Sequence, residues 1–265
     1  MKLGAQLYSV RNDVQTADDF RTTLLKLKKM GYENVQASGI GPIAAEDLRD
    51  ISIETEMPIV CTHIGYDRIV NDTEAVIREH KIYNCPVIGL GSMPKENRSS
   101  EDGLNSFLKE MELPVKKIMD AGLRFSYHNH QFEFVVPEGG KQMIFDSMLE
   151  RCPDWLFLLD TCWIEYAGQS TVEYIDKIGG HRLTNVHFKD VAHHDPADPQ
   201  EILGQKISRF IRTPGQGRLD FKAIYDACAR VGVQNVLVEQ DNAPKTPDAF
   251  AEMEFAFKHL RPIIH

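Results

Sequence analysis

Two imidazoles and two carboxylates stand at the downstream ends of four apolar runs in the second half of the chain. His128 lies in LRFSYHNH, Asp160 closes WLFLLD, His187 lies in LTNVHFKD and Glu239 lies in NVLVEQD. Neither an imidazole nor a carboxylate belongs on a buried strand without a partner, because burying an unpaired polar group is costly. Two histidines and two acids form a donor set suited to a divalent metal ion. Imidazole nitrogen favours manganese, zinc or cobalt and makes magnesium, which prefers oxygen, the least attractive choice. If the four runs are neighbouring parallel strands, all four side chains converge at one end of the sheet. A lone strand-end aspartate more often caps a helix or anchors a loop; convergence with three others favours the metal reading for Asp160, His187 and Glu239.

The elements that must position these groups alternate along the whole chain. Short apolar, β-branched runs at 3–8, 34–37, 59–63, 87–90, 123–129, 156–160, 183–188 and 235–239 read as parallel strands covered on both faces. Amphipathic segments separate them: Phe20, Leu24 and Leu27 share one helical face, and Phe250, Met253, Phe257 and Leu260 another. Thr16 with Asp19 and Asn71 with Glu74 resemble capping boxes, and Thr246-Pro247 places a cap before a first-turn proline. Glycine ends several helices, as in KKMGYENV and ARVGVQNV. Eight strand-then-helix units predict an α/β fold, a closed (β/α)8 TIM barrel, rather than an open sheet. No glycine fingerprint for phosphate follows the first strand, and no linker or low-complexity tract divides the chain, so residues 1–265 read as one domain. A long connection at about 190–217 leaves the strand of His187 and is expected to fold over the C-terminal mouth; connections beyond about 12–15 residues are often functional. The alternative is a decorative or oligomer-forming insertion.

Composition narrows the classes of function. The chain has 265 residues, 42% hydrophobic and 26% charged, which is the profile of a soluble globular protein with an independent core. Its formal net charge of -9 argues against nucleic acid or an anionic membrane as the main partner. Five cysteines, Cys61, Cys85, Cys152, Cys162 and Cys228, show no paired spacing and lie mostly in apolar stretches, as reduced thiols do. The opening residues MKLGAQLYSV read as a strand rather than a leader, and no apolar run approaches a membrane span. A cytoplasmic location is expected.

Six segments in order, QLYSVR (Gln6 to Arg11), YHNHQFEF (Tyr127 to Phe134), LDTCWIEYAG (Leu159 to Gly168), NVHFKD (Asn185 to Asp190), GQGRLD (Gly215 to Asp220) and VEQD (Val238 to Asp241), make the chain resemble the xylose isomerase-like TIM barrel superfamily. The resemblance covers essentially the whole length and points to the sugar phosphate isomerase/epimerase group. It implies a divalent metal at the strand ends, held by a Glu, Asp, His, Glu set. Asp160, His187 and Glu239 match three positions; His128 stands where many relatives carry a glutamate that serves as one of two paired bases. His128 then acts as a ligand, or as a hydrogen-bonding group for substrate or for a ligand. A homodimer is the assembly that the resemblance suggests.

The chemistry implied is proton abstraction beside the carbonyl of a carbohydrate or cyclitol, through an enediolate, giving isomerisation or epimerisation. Glu239 is the candidate base as well as a ligand, with His130 or Glu133 as second proton carrier, Glu133 if its loop turns back over the mouth. His63, ending PIVCTH, and Lys189, on the strand face of His187, are candidates for binding substrate and neutralising an oxyanion; for Lys189 an ordinary ion pair is the alternative. Trp163 would wall a sugar ring, or pack beneath the loop. The same enediolate can expel a β-leaving group, so a lyase, an inosose-type dehydratase or 3-keto-glycoside eliminase, is the rival enzyme. An endonuclease would need more ligands and a basic face, and a non-catalytic sugar-binding barrel would need no metal. Adjacent His193 and His194 diverge on any regular element and do not read as a second metal pair. No dedicated phosphate-binding signature is present.

Overall fold

In the computed structural model, which describes residues 1–193 and 207–264, the apolar runs become parallel strands. These are β1 Lys2–Gln6, β2 Val35–Ala37, β3 Ile59–Thr62, β4 Val87–Leu90, β5 Arg124–His128, β6 Leu156–Asp160 and β7 Asn185–Phe188. A two-stranded antiparallel ribbon follows, β8 Asp190–Val191 with β9 Ile211–Arg212, and then β10 Asn235–Val238. Hydrogen bonding runs β3-β2-β1-β10-β7-β6-β5-β4. The two ends of that order meet where Ile64 bridges Leu90 and donates its N–H to the Gly89 carbonyl at 2.8 Å. Glycine at 89 lets this seam close, since a Cβ there would stand 2.1 Å from the Thr62 carbonyl oxygen. The result is a nearly closed eight-stranded barrel wrapped by helices.

Local chemistry sets the element ends. The first strand, expected to reach Tyr8, stops at Gln6 because the Gln6 amide oxygen accepts the Tyr8 N–H at 3.1 Å and turns the chain into the 3-10 segment Leu7–Asp13. Thr16 caps the helix Ala17–Met30 by accepting from the Asp19 N–H, as its spacing predicts. Two other expected caps fall elsewhere. Helices Tyr66–Asn71 and Thr73–Ile82 abut at Asp72, and Asp248, not Thr246, caps Ala249–Leu260 by accepting from the N–H groups of Phe250 and Ala251.

Alternate residues of each strand face the barrel axis, and they form three levels. At the N-terminal end, Asn34, Asn235 and Asn185 hydrogen-bond in a row, at 2.9 and 2.8 Å. Above them Cys61, Val87, Leu156, Leu158 and Leu237 form a small apolar cluster. The C-terminal level is polar and holds the site. Outside the strands, one large cluster that includes Leu3, Phe20, Phe125, Phe145, Val186 and Leu260 joins barrel to helices. All five cysteines are free and buried. Among the described residues no helix is long and apolar enough to cross a membrane.

The described parts of the connection at 190–217 are tied to the end of the barrel. Beyond the β8–β9 ribbon, the buried Asp190 carboxylate accepts from the backbone N–H groups of Val191, Gly215, Gly217 and Leu219 at 2.8–3.1 Å. Residues 194–206, His194 among them, lie outside the described residues.

Candidate metal centre

Four strands deliver the cluster. His128 ends β5, Asp160 ends β6, His187 lies in β7 directly beside Asp160 in register, and Glu239 follows the last residue of β10. Each offers one ligand atom, and these atoms all lie within 4.8 Å of one another. Asp160 Oδ2 stands 3.5 Å from both His128 Nε2 and His187 Nδ1, and Glu239 Oε2 stands 2.9 Å from His187 Nδ1. All four side chains are buried.

The outward-facing atoms of these groups are already taken, and each bond fixes an orientation. His128 Nδ1–H donates to the Gly91 carbonyl at 3.1 Å, and His187 Nε2–H donates to Gln36 Oε1 at 2.5 Å. Asp160 Oδ1 accepts from the N–H groups of Cys162 and Trp163, while its own backbone N–H is held by Asn129 Oδ1 at 2.9 Å. What remains is telling: His128 Nε2, Asp160 Oδ2 and His187 Nδ1 are buried and make no hydrogen bond. Their charged neighbours, Glu239 and Lys189 as well as one another, belong to the same cluster, and a buried polar atom left without a good partner costs about 1–3 kcal/mol. A cation set among them would satisfy all three at once, and the outer bonds are those that orient metal ligands. The donor set fits a divalent metal.

Lys189 is the only ammonium in the cluster among the described residues. It is buried and faces Asp160 and Glu239 at 3.4 Å and Asp241 at 2.5 Å. Three carboxylates against one ammonium leave two negative charges when the imidazoles are neutral, which matches a divalent ion. Burial alone would raise the carboxyls. Lys189, with the approach of His128 and His187, instead holds Asp160 well below the usual carboxylate range, and Lys189 with His187 lowers Glu239 to about 2. His187, which burial would depress, is raised to about 9 by Glu239 and Asp160. Burial, reinforced by the neighbouring His128, keeps His63 and His130 well below the ordinary imidazole value.

A cavity of about 370 Å³ opens onto the cluster. His128, Glu239, His63, His130, Lys189 and Trp163 line it. His63 and His130 flank His128, each with ring centroids 4.8 Å from it, and each has one buried nitrogen without a partner. The Lys189 ammonium rests 4.1 Å above the Trp163 ring. Glu133 is placed differently from the rest. The 3-10 turn Phe132–Phe134 carries it inward, where its carboxyl accepts from the Tyr127 hydroxyl and from the His130 N–H at 2.8 Å, and it does not line the cavity. Gln36, Asn129, Gly91 and Asp241 belong to the arrangement but carried no sequence signal beyond a polar residue in the β2 run and the final letter of VEQD. Arg11, closing QLYSVR, reaches the cavity rim against the Tyr8 ring at 4.2 Å.

No family model matches the chain. A curated inosose dehydratase of Lacticaseibacillus casei is 26% identical over 140 residues, 50% of this chain and 46% of that protein, so the match spans less than half of the relative's length. Solved structures align end to end. A sugar phosphate isomerase/epimerase of Parabacteroides distasonis has a TM-score of 0.78 at 21% identity, with 100% of both chains covered. The probable 3-DHS dehydratase AsbF of Bacillus anthracis has a TM-score of 0.74 at 13% identity, over 98% of this chain and 99% of that one. The IolI protein, solved with a zinc atom, has a TM-score of 0.73 at 12% identity, over 100% and 98%. At such identities the likeness establishes the fold: this chain folds as a xylose isomerase-like TIM barrel.

Proposed function

We propose that the protein is a metal-dependent isomerase or epimerase that removes a proton beside the carbonyl of a carbohydrate or cyclitol. One observation carries the reading: buried donor atoms of His128, Asp160 and His187 that make no hydrogen bond converge with Glu239, and His128 and Glu239 line a ligand-sized cavity. His128, Asp160, His187 and Glu239 would hold the metal, which supplies Lewis-acid polarisation of the carbonyl and charge stabilisation for the enediolate.

The chain's own groups do the rest. Of the two carboxylates among the four metal-ligating candidates, Glu239 is the one that also lines the cavity, which places it to accept the α-proton. Lys189, held charged by its three acids, faces the same space and stabilises negative charge there. His63 and His130, kept neutral, stand on either side of His128 to carry the proton to a neighbouring carbon or to the opposite face. Trp163 supplies a flat wall for a sugar ring.

A lyase acting on a related ketone is the second reading, and Glu133 favours it. With that carboxyl turned away, the described residues of the cavity hold no second free carboxylate, since Asp241 is clamped by Lys189. Elimination needs a single base and a leaving group. The curated relative, a dehydratase by name, supports the same reading.

Elemental analysis of the purified protein and of Asp160→Ala tests the metal. The expected result is about one divalent ion per wild-type chain and none in the variant; metal-free wild type that cannot be loaded would overturn the proposal. Ketoses and inososes incubated in deuterated water then separate the readings: isomerisation leaves deuterium on carbon without change of formula, and elimination releases water or an aglycone.

A further inference from the structure

Two cations that line the cavity take no part in the cluster. Arg11 belongs to the 3-10 segment after β1, and Lys245 to the 3-10 turn Ala243–Lys245 after β10. Arg11 is half-buried and fixed from two sides. Its guanidinium rests 4.2 Å from the centre of the Tyr8 ring, and Nη1 donates to the Tyr8 carbonyl at 2.9 Å and to the Asp241 carbonyl at 3.2 Å. Its Nε and Nη2 atoms make no hydrogen bond to a described residue. Together they form the edge of a guanidinium that can meet two oxygens of one carboxylate or phosphate group at once. Lys245 is exposed and donates only to Asn242 Oδ1, at 3.2 Å.

Charge balance makes these two groups informative. Neither makes an ion pair with a described residue. The one acid beside them in the cavity wall, Asp241, turns its carboxylate to Lys189 and gives Arg11 only its backbone carbonyl. In the cluster, the carboxylates of Asp160, Glu239 and Asp241 face the Lys189 ammonium and, with neutral imidazoles, leave the deficit that one divalent ion fills. Nothing there is left to offset Arg11 and Lys245. The cavity therefore keeps two uncompensated positive charges in a chain whose formal net charge is -9. An anionic group reaching Arg11 would find donors already held in place by Tyr8 and two carbonyls, so little ordering remains to oppose its binding.

We propose that Arg11 and Lys245 form an anion subsite and that the substrate is an acidic sugar. Its carbonyl end lies at the cluster, and its far end carries a carboxylate or a phosphate. The idea rests on the reading of the cluster as a carbohydrate centre and adds to it the charge of the substrate. Arg11 supplies the paired donors that fix the group in place. Lys245, on a flexible stem, adds charge from the solvent side.

Three probes that differ only at the sixth carbon provide the test: glucose, glucuronate and glucose 6-phosphate. Calorimetry compares them on the protein as purified and after zinc loading. At least one of the anions is expected to bind wild type about tenfold or more tightly than glucose, as hydrogen bonds to a charged group allow. The tighter anion identifies the source, carboxylate or phosphate. Arg11→Gln is expected to reduce that advantage at least about fivefold. Lys245→Gln, on the exposed side, is expected to reduce it about twofold and serves should Arg11→Gln fold poorly. Equal affinity for all three probes, no binding of either anion, or an advantage undiminished in a folded variant would overturn the proposal; the last result would put the anion on the cluster instead. Protein that takes up no metal yet prefers an anion through Arg11 overturns the reading of the cluster and leaves the subsite standing. Zinc-loaded protein without the preference does the reverse.

Discussion

Gln36 on β2 and His187 on β7 meet inside the barrel, the imidazole Nε2–H donating to the amide Oε1 at 2.5 Å. That bond selects the tautomer and turns Nδ1 toward Asp160 and Glu239. Gln36→Leu keeps the packing volume close and removes the acceptor. Metal affinity is expected to fall about 10–100-fold, the usual cost of losing such an orienting partner. Competition against a chelating dye measures it, and an unchanged affinity would mean that the ring is held by something other than Gln36.

His187 also links metal to protons. Its folded pKa of about 9 lies above the ordinary imidazole value of 6.5. In the metal-free protein the charged ring therefore adds stability that is fully present below pH 6.5 and is lost as pH rises through 9. The melting temperature of metal-free protein is expected to fall across that window. A bound cation needs the neutral ring, so metal uptake at pH 7.5 should release close to one proton per ion, read by calorimetry in buffers of different ionisation enthalpy. No proton release would place the ring outside the coordination.

Much of this arrangement is written locally in the sequence, and the missing part is written at long range. The apolar runs at 87–90 and 156–160 coincide with β4 and β6, because a strand buried on both faces has no other pattern. The four clustered residues share one physical signal, a polar group where an apolar strand ends. Gln36 and His187 are 151 positions apart, and Gly91 offers only its carbonyl, so nothing in local spacing pairs them with the site. Glu133 illustrates the opposite case: its spacing from His128 suggested a carboxylate at the mouth, but a 3-10 turn, which the sequence pattern did not reveal, points it inward.

That inward position makes Glu133 a measurable liability. Burial raises its pKa to about 8, against 4.5 for the free group, even though Tyr127 and the His130 N–H favour the ionised form. Stability from this group is present below pH 4.5 and is lost as pH rises through 8. Glu133→Gln removes the titration. Relative to wild type, the variant is expected to gain stability steadily between pH 5 and pH 8 in urea unfolding followed by circular dichroism. Parallel pH profiles for the two proteins would show that Glu133 stays ionised.

The connection after His187 depends on a clasp that tolerates no side chain at one point. Asp190 gathers four backbone N–H groups with one carboxylate, and a Cβ on Gly217 would stand 2.2 Å from Asp190 Oδ1 and 2.6 Å from the Val191 carbonyl oxygen. Gly217→Ala must push the carboxylate out of its cradle, leaving buried donors unpaired at about 1–3 kcal/mol. Asp190→Ala removes the same bonds without the clash, so both variants are expected to lose comparable stability in urea. Because Asp190 follows His187 by three residues, both should also weaken metal binding, although neither residue is one of the four metal-ligating candidates. Wild-type stability in Gly217→Ala would mean that the loop adapts at little cost and that the clasp does not anchor the end of β7.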